Sequence, residues 1–148
     1  MTTITREIAV ARDAATAWRV VGDIARYDEV LVGITRWEPT EAGTYWVLMQ
    51  VGSIATGGEV EVVVEDDARR VSWQSVRGTR HDAVWDVVDD GPGRCRVRLR
   101  VRYELVGLVG PLVTRAARPI VVRNLVASLE TARHLIEHEL DPPGERRP

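Results

Sequence analysis

The pattern of hydrophobic and polar positions begins with a strand. Ile4, Ile8 and Val10 alternate with polar or small residues over the first ten positions. A period of two is typical of a strand that buries one face, so a first strand is predicted here.

Helix signals follow this strand. Asp13 offers an N-cap to a helix over residues 14–21, and Gly22 is placed to end it. A second short helix is expected from Asp23 to about residue 31. The chain therefore predicts two short helices directly after the first strand.

A long run of strands comes next, rich in Val and Trp and divided by turn residues. The predicted strands cover residues 34–40, 44–52, 59–65, 71–76, 81–88 and 95–105. The last strand is the clearest, because its apolar positions alternate with Arg96, Arg98, Arg100 and Arg102. Such alternation indicates a sheet with one face toward water, on which acids such as Asp82, Asp86 and Glu7 offer cross-strand charge pairs.

The hydrophobic period then changes to that of a helix. An apolar stripe at spacings of three and four runs through Val122, Leu125, Leu129, Ala132 and Ile136. Pro119 is expected to split or kink this region, giving a turn near residues 112–118 and a main helix from residue 119 or 120. Asp141 and the prolines after it are expected to end the helix. We expect one domain over residues 1–141 and a disordered tail over residues 142–148.

These elements predict an α+β fold, in which a curved antiparallel sheet of six to seven strands wraps around a long C-terminal helix. Both partners in that packing are apolar. The pattern leaves open whether they meet tightly or enclose a cavity.

Composition narrows the function. The chain has 148 residues, 20 arginines, no lysine and a net charge of −2, which argues against a general binder of nucleic acid. No apolar run is long enough to span a membrane, and no signal peptide is evident, so a cytoplasmic protein is expected. The single cysteine, Cys95, excludes an internal disulfide and is interpreted as a small buried hydrophobe.

Candidate ligand-binding residues are the aromatic and polar side chains expected on inner faces. They are Trp46, Gln50, Trp73, Ser75, His81, Trp85, Tyr103, Asn124 and Ser128. Arg6 is also expected to point inward, whereas Trp37 is expected to be peripheral. The strand 45–51 is apolar on both faces, which indicates either a cover such as the second subunit of a homodimer or an exposed aromatic.

Three apparent motifs are rejected. His134 and His138 fit an H-x-x-E-H zinc pattern, but both fall on the wet face of the helix. The glycine-rich segment 52–58 lacks the lysine of a phosphate loop and precedes a strand. The arginine row carries no aromatics for stacking on RNA. We expect no metal and no cofactor.

The run IAVARDAATAWRVVGDIARYDEVL, with Trp18, Asp23 and Tyr27 at its key places, resembles the opening of the SRPBCC superfamily. This is the START-like helix-grip fold, shared with the birch-pollen allergen. The segments CRVRLRVRYELVG and RNLVASLETARHLIEHE look like its polyketide cyclase/dehydratase branch. One departure is Val30, where the family often has Trp.

The resemblance implies an apolar cavity that opens under the two short helices and holds a hydrophobic molecule. We expect this cavity between the sheet and residues 120–136, with a volume of a few hundred Å³. It also implies, for aromatic polyketide cyclases, a cavity tyrosine and arginines. Aligned by eye, these positions fall on Ile34, on residues 62–64 and on Ser75, so none of them carries a cation, and the valines and the isoleucine cannot polarise a carbonyl. Arg6 or His81 could take over such a role.

Three functions remain open from the sequence. The first and favoured is a binding module for a lipid-like or aromatic, polyketide-like small molecule. The second is a cyclase or dehydratase that uses His81, Tyr103 or Ser128 for proton transfer. The third is a regulatory or interaction protein without a ligand.

Overall fold

The computed structural model describes residues 2–104 and 110–139 of the chain. The elements follow in the order β1 (Thr2–Val10), α1 (Ala14–Val21), a 3-10 turn (Ile24–Arg26), α2 (Tyr27–Val30), β2 (Ile34–Pro39), β3 (Tyr45–Val51), β4 (Ile54–Glu65), β5 (Arg70–Gly78), β6 (Arg80–Asp89), β7 (Cys95–Glu104), α3 (Gly110–His134) and a π-helical turn (Leu135–Glu139). The tail expected at residues 142–148 lies outside the described residues.

The seven strands form one antiparallel sheet in the order β1-β7-β6-β5-β4-β3-β2. The first two strands of the chain are thus its two edges, and α1 and α2 lie on the connection between them. The sheet curls so that α3 packs against β1, β7 and β3 on its inner face. This arrangement confirms the α+β helix-grip fold, with seven strands.

The first helix begins and ends where the sequence predicts. The Asp13 carboxylate accepts a hydrogen bond from the backbone N–H of Thr16 at 2.7 Å, and this bond lowers the pKa of Asp13. Gly22 follows the last helical residue and donates its N–H to the Trp18 carbonyl at 2.8 Å. The cap and the stop signal therefore both act as expected.

The alternation in β7 separates the two faces of the sheet as predicted. Its apolar side chains are buried, Cys95 completely and Val101 partly, while the arginines between them are exposed. On the outer face, Arg96 pairs with Glu7 at 2.7 Å and Arg102 pairs with Asp82 at 2.8 Å. The outer face is therefore covered by charge pairs that include Glu7 and Asp82, two of the three acids expected in this role.

Asp86 also forms a cross-strand charge pair, whereas one charged residue lies differently from the prediction. The Asp86 carboxylate binds Arg70 of β5 at 2.7 Å, although Arg98 of β7 is also its register partner. Arg6 is exposed, and its Nη1 donates to the Thr5 carbonyl at 2.8 Å. The expectation that Arg6 points inward was therefore wrong, since water solvates the guanidinium at the edge strand.

The separate turn expected at residues 112–118 was also wrong, because Pro119 does not split α3, which is continuous from Gly110 to His134. Proline removes one intrahelical hydrogen bond, to the carbonyl of Arg115. Both residues are on the exposed side of the helix, where water can satisfy that carbonyl, and Ala117 and Leu125 are buried against the sheet.

Among the helices of residues 2–104 and 110–139, none combines the length and the apolar character that a membrane span requires.

The fourth strand starts at Ile54, five residues earlier than predicted, because glycines let three strands approach closely. A Cβ atom at Gly57 would lie 2.0 Å from the Val47 carbonyl oxygen, and one at Gly58 would lie 2.0 Å from that of Arg77. Side chains at these positions would clash with backbone on both neighbours. Segment 52–58 is therefore a hairpin turn followed by strand, consistent with the rejection of a phosphate loop.

Candidate functional site

A cavity of about 110 Å³ lies between the inner face of the sheet and α3. Its wall on α3 includes Val121, Leu125 and Ser128, which is the place the sequence indicated. The volume is smaller than the few hundred Å³ expected. A cavity of roughly 150 Å³ can hold benzene, so this one must widen slightly to hold a single small ring.

A cluster of four aromatic side chains explains the small volume. Tyr27, Trp37, Trp73 and Trp85 are all buried, and the Tyr27 ring centroid lies 5.5 to 6.0 Å from those of the three tryptophans. The Tyr27 hydroxyl donates to the Val21 carbonyl, and burial raises the pKa of Tyr27. The cluster fills the part of the concave sheet that lies under the short helices.

Trp37 belongs to this cluster, so the expectation of a peripheral position was wrong. Its indole N–H donates to the Ile24 carbonyl at 2.8 Å, and its ring stacks on Tyr45 with centroids 4.7 Å apart. The reason is that the segment 24–30 folds over β2 and covers it, which a single-strand pattern cannot reveal.

Six of the nine candidate ligand-binding residues line the cavity: Gln50, Trp73, His81, Tyr103, Asn124 and Ser128. Trp85 is buried on the inner face as predicted, but it packs in the aromatic cluster. Ser75 lies at the end of β5, where its Oγ accepts from the His81 backbone N–H at 3.2 Å. Trp46 is half-buried and alternates with the inward Val47, which places it on the outer face.

The mouth of the cavity lies where Val32 and Gln50 are exposed. The loop there is tied to α3 through Ser128, whose Oγ accepts from the Val32 N–H and donates to the Asn124 carbonyl, each at 2.8 Å. The Gln50 amide donates to the Gly52 carbonyl at 2.8 Å. The exposed part of the wall thus lies in the loop after α2 and near the end of β3.

His81 is 4% exposed and lines the cavity from β6. The indole N–H of Trp73 approaches its Nδ1 at 3.4 Å, while Nε2 is buried and has no hydrogen-bond partner. Burial lowers the pKa of His81 to about 4, although the nearby charge of Asp82 opposes that shift. The imidazole is therefore neutral near pH 7.

The two hydroxyls considered for proton transfer are engaged elsewhere. Tyr103 donates its O–H to the Thr114 carbonyl at 3.1 Å, and burial raises the pKa of Tyr103. The Ser128 Oγ binds the Val32 N–H and the Asn124 carbonyl. Among the described residues, no hydrogen bond joins His81 to either hydroxyl.

Sequence reasoning missed Thr79, which is buried in the cavity wall between β5 and β6. Its hydroxyl hydrogen-bonds to that of Thr56, and its backbone N–H donates to the Gly57 carbonyl at 3.0 Å. The residues around this position signal a turn, and turn residues are usually exposed. The close approach of β4 to this turn is what buries it.

A larger groove of about 460 Å³ crosses the outer face of the sheet. It is lined by polar and charged side chains, among them Glu61, Asp82, Arg100 and Arg102, together with Val63 and Val84. Arg102 and Asp82 pair with each other there. The inner cavity is the better candidate, because mostly apolar walls with a few polar groups are typical of small-molecule sites.

No charged side chain belongs to the described wall of the inner cavity, given that His81 is neutral. His134 and His138 are exposed on the helix, as predicted, with ring centroids 5.0 Å apart. Within residues 2–104 and 110–139, no three His, Cys, Asp or Glu side chains are grouped to hold a metal ion.

Comparisons with known proteins agree with the fold. A family model described as polyketide cyclase/dehydrase and lipid transport matches residues 1–137. The Zhui aromatase/cyclase of Streptomyces sp. R1128 has a similar structure, with a TM-score of 0.81, 16% identity, and coverage of 97% of this chain and 98% of that one.

Two other solved structures are also similar. Norcoclaurine synthase of Thalictrum flavum, in complex with dopamine and hydroxybenzaldehyde, gives a TM-score of 0.68 at 17% identity and covers 95% of this chain and 89% of that one. A START superfamily protein of Mycobacterium smegmatis gives 0.66 at 15% identity, with 86% and 94% covered. No curated protein matches the sequence. Likeness at these identities shows the fold.

Proposed function

The chain belongs to the polyketide cyclase/dehydrase and lipid transport family, and on that premise we propose that it binds a small, neutral, hydrophobic molecule in the cavity between the sheet and α3. The observation that carries this proposal is an uncharged cavity whose wall is mostly apolar, with a few polar side chains that include His81 and Asn124. A polar group in such a wall orients a ligand, while the apolar surface supplies affinity.

The size of the cavity limits the ligand. At about 110 Å³ it is somewhat smaller than the roughly 150 Å³ cavity that holds benzene, so even a single small ring requires a modest widening of the wall. A lipid chain or a polycyclic polyketide-like molecule requires the loop at Val32 to move outward. The hydrogen bond from the Val32 N–H to Ser128 is the contact that such an opening breaks.

A second candidate is an enzyme of the cyclase or dehydratase type acting in the same cavity. The buried His81 favours it, since a neutral imidazole can accept or donate a proton. Against it, Tyr103 and Ser128 are bonded to backbone, and no cation faces the cavity from its described wall to stabilise an oxyanion. Arg6, which could have replaced a cavity arginine, is exposed.

A third candidate, an interaction protein without a ligand, would use the outer side of β3. Trp46 and Leu48 are half-buried there within one chain, and a homodimer through this strand stays a prediction. The cavity argues for the ligand-binding role over this one.

The test is native mass spectrometry of the freshly purified protein, followed by titration with toluene monitored on the methyl NMR signals of Val101 and Leu125. We expect either a co-purified small molecule or saturable shifts at these two cavity residues. The variant Val121→Phe, which adds a ring at the cavity wall, should abolish binding. Val113→Phe on the same helix is the control, because Val113 is equally half-buried and does not line the cavity. Absence of both signals in the native protein would refute the proposal.

A further inference from the structure

The polar atoms of the cavity wall differ in whether the protein itself satisfies them. Ser128, Tyr103 and Gln50 all direct their donors to backbone carbonyls at 2.8 to 3.1 Å. Among the described residues, two buried side-chain nitrogens have no partner, Nε2 of His81 and Nε1 of Trp85. Of these two residues, His81 is the one that lines the cavity.

The contact with Trp73 decides which form of the imidazole is present. An indole N–H can only donate, so Nδ1 of His81 must accept and therefore carries no proton. The proton of the neutral ring then sits on Nε2. Burial lowers the pKa of His81 to about 4, which keeps this neutral form at physiological pH. The Nε2–H group of His81 is thus a buried donor that no acceptor among the described residues receives.

A buried donor without a partner costs free energy, and proteins retain few of them. We propose that the bound molecule carries an uncharged oxygen acceptor, of the ketone, aldehyde or ester class, that receives the Nε2–H of His81. This inference rests on the proposed binding function and specifies its ligand. Nε2 is covered by its neighbours in this conformation, so the ligand reaches it by displacing a wall side chain.

The chemistry of the wall favours a neutral acceptor. A carboxylate or phosphate would be buried without a cation, because the described lining residues include no arginine. A hydroxyl would also accept from His81, but it brings a proton that needs a further acceptor in the wall. A carbonyl oxygen needs only the donor that His81 offers.

The experiment uses two single-ring ligands of the same shape, cyclohexanone and methylenecyclohexane, which differ in C=O against C=CH₂. Each is titrated by NMR into the native protein and into the variant His81→Asn. Asparagine keeps an acceptor at the position of Nδ1, so Trp73 retains its partner, but it removes Nε2–H. We expect the preference for the ketone over the hydrocarbon to fall about 3- to 10-fold in the variant.

A second readout on the native protein does not depend on the variant folding. With ¹⁵N-labelled histidine, cyclohexanone should shift the His81 Nε2 resonance, and methylenecyclohexane should leave it in place. Val121→Phe serves as the control that abolishes both titrations. If both ligands bind and neither the ketone preference nor the Nε2 signal changes as described, the inference about His81 is wrong while cavity binding stands. If neither ligand binds the native protein, both proposals fail.

Discussion

The indole N–H of Trp73 on β5 points at Nδ1 of His81 on β6, at a distance of 3.4 Å. The two side chains lie on the inner face of adjacent strands and both line the cavity. The contact sets the tautomer of a buried histidine and connects the aromatic cluster to the proposed ligand site. Several properties of the molecule should therefore depend on this pair.

Stability should fall in mild acid because of His81. Its pKa is lowered to about 4 in the folded protein, against 6.5 for the unfolded chain. Between these values the unfolded chain binds more protons, so the stabilisation is complete above pH 6.5 and is lost as the pH falls toward 4. The loss should reach roughly 2–3 kcal/mol. Urea denaturation at pH 7.5 and pH 4.5 measures it, and His81→Asn should lack this part of the decline. The exposed His138, replaced by Asn, is the control and should keep it.

The two buried tryptophans should respond differently to the same substitution. Trp73→Phe removes the donor to His81 and leaves Nδ1 unpaired, whereas Trp85→Phe removes an N–H that has no partner. The loss of volume is the same in both. We expect Trp73→Phe to lower the free energy of unfolding by about 1–2 kcal/mol more than Trp85→Phe. Equal losses in urea denaturation would show that the Trp73–His81 contact contributes nothing.

The loop at the cavity mouth should loosen when Ser128 is replaced by alanine. The substitution leaves the Val32 N–H without its acceptor, at a cost of about 1–2 kcal/mol. Amide hydrogen exchange at Val32 should accelerate roughly tenfold. Thr131→Ala is the matched control, since the Thr131 hydroxyl only donates to the Ala127 carbonyl of its own helix. Unchanged exchange at Val32 in Ser128→Ala would show that this hydrogen bond does not hold the loop against α3.

Gly57 should not tolerate alanine. A Cβ atom there would lie 2.0 Å from the Val47 carbonyl oxygen, so β3 and β4 must separate locally. We expect a loss of at least about 2 kcal/mol in the free energy of unfolding. Gly43→Ala provides the comparison, because its φ of +80° is strained for alanine but nothing lies within 4 Å of the added atom. If the loss in the free energy of unfolding at Gly57 were no larger than at Gly43, β3 and β4 would be shown to separate at little cost.

Sequence signals that lie within a single helix or strand were sufficient to predict the fold. The cap at Asp13, the stop at Gly22 and the alternation from Cys95 to Tyr103 all appear in the structure as the sequence predicts. The period of each pattern decides which side chains share a face, so the sequence alone assigns Trp73, His81 and Trp85 to the inner face of the sheet.

Only the tertiary structure decided how those inner faces fit together. Trp37 is buried because the short helices fold over β2, and Pro119 is accommodated because it lies on the exposed side of α3. The cavity volume and the unpaired Nε2 of His81 depend on how the sheet curls around α3 and on which neighbour reaches which atom. The period of a pattern shows which way the side chains of one element point, whereas a cavity is the volume left between several elements. The sequence therefore indicated where the cavity lies but not how large it is.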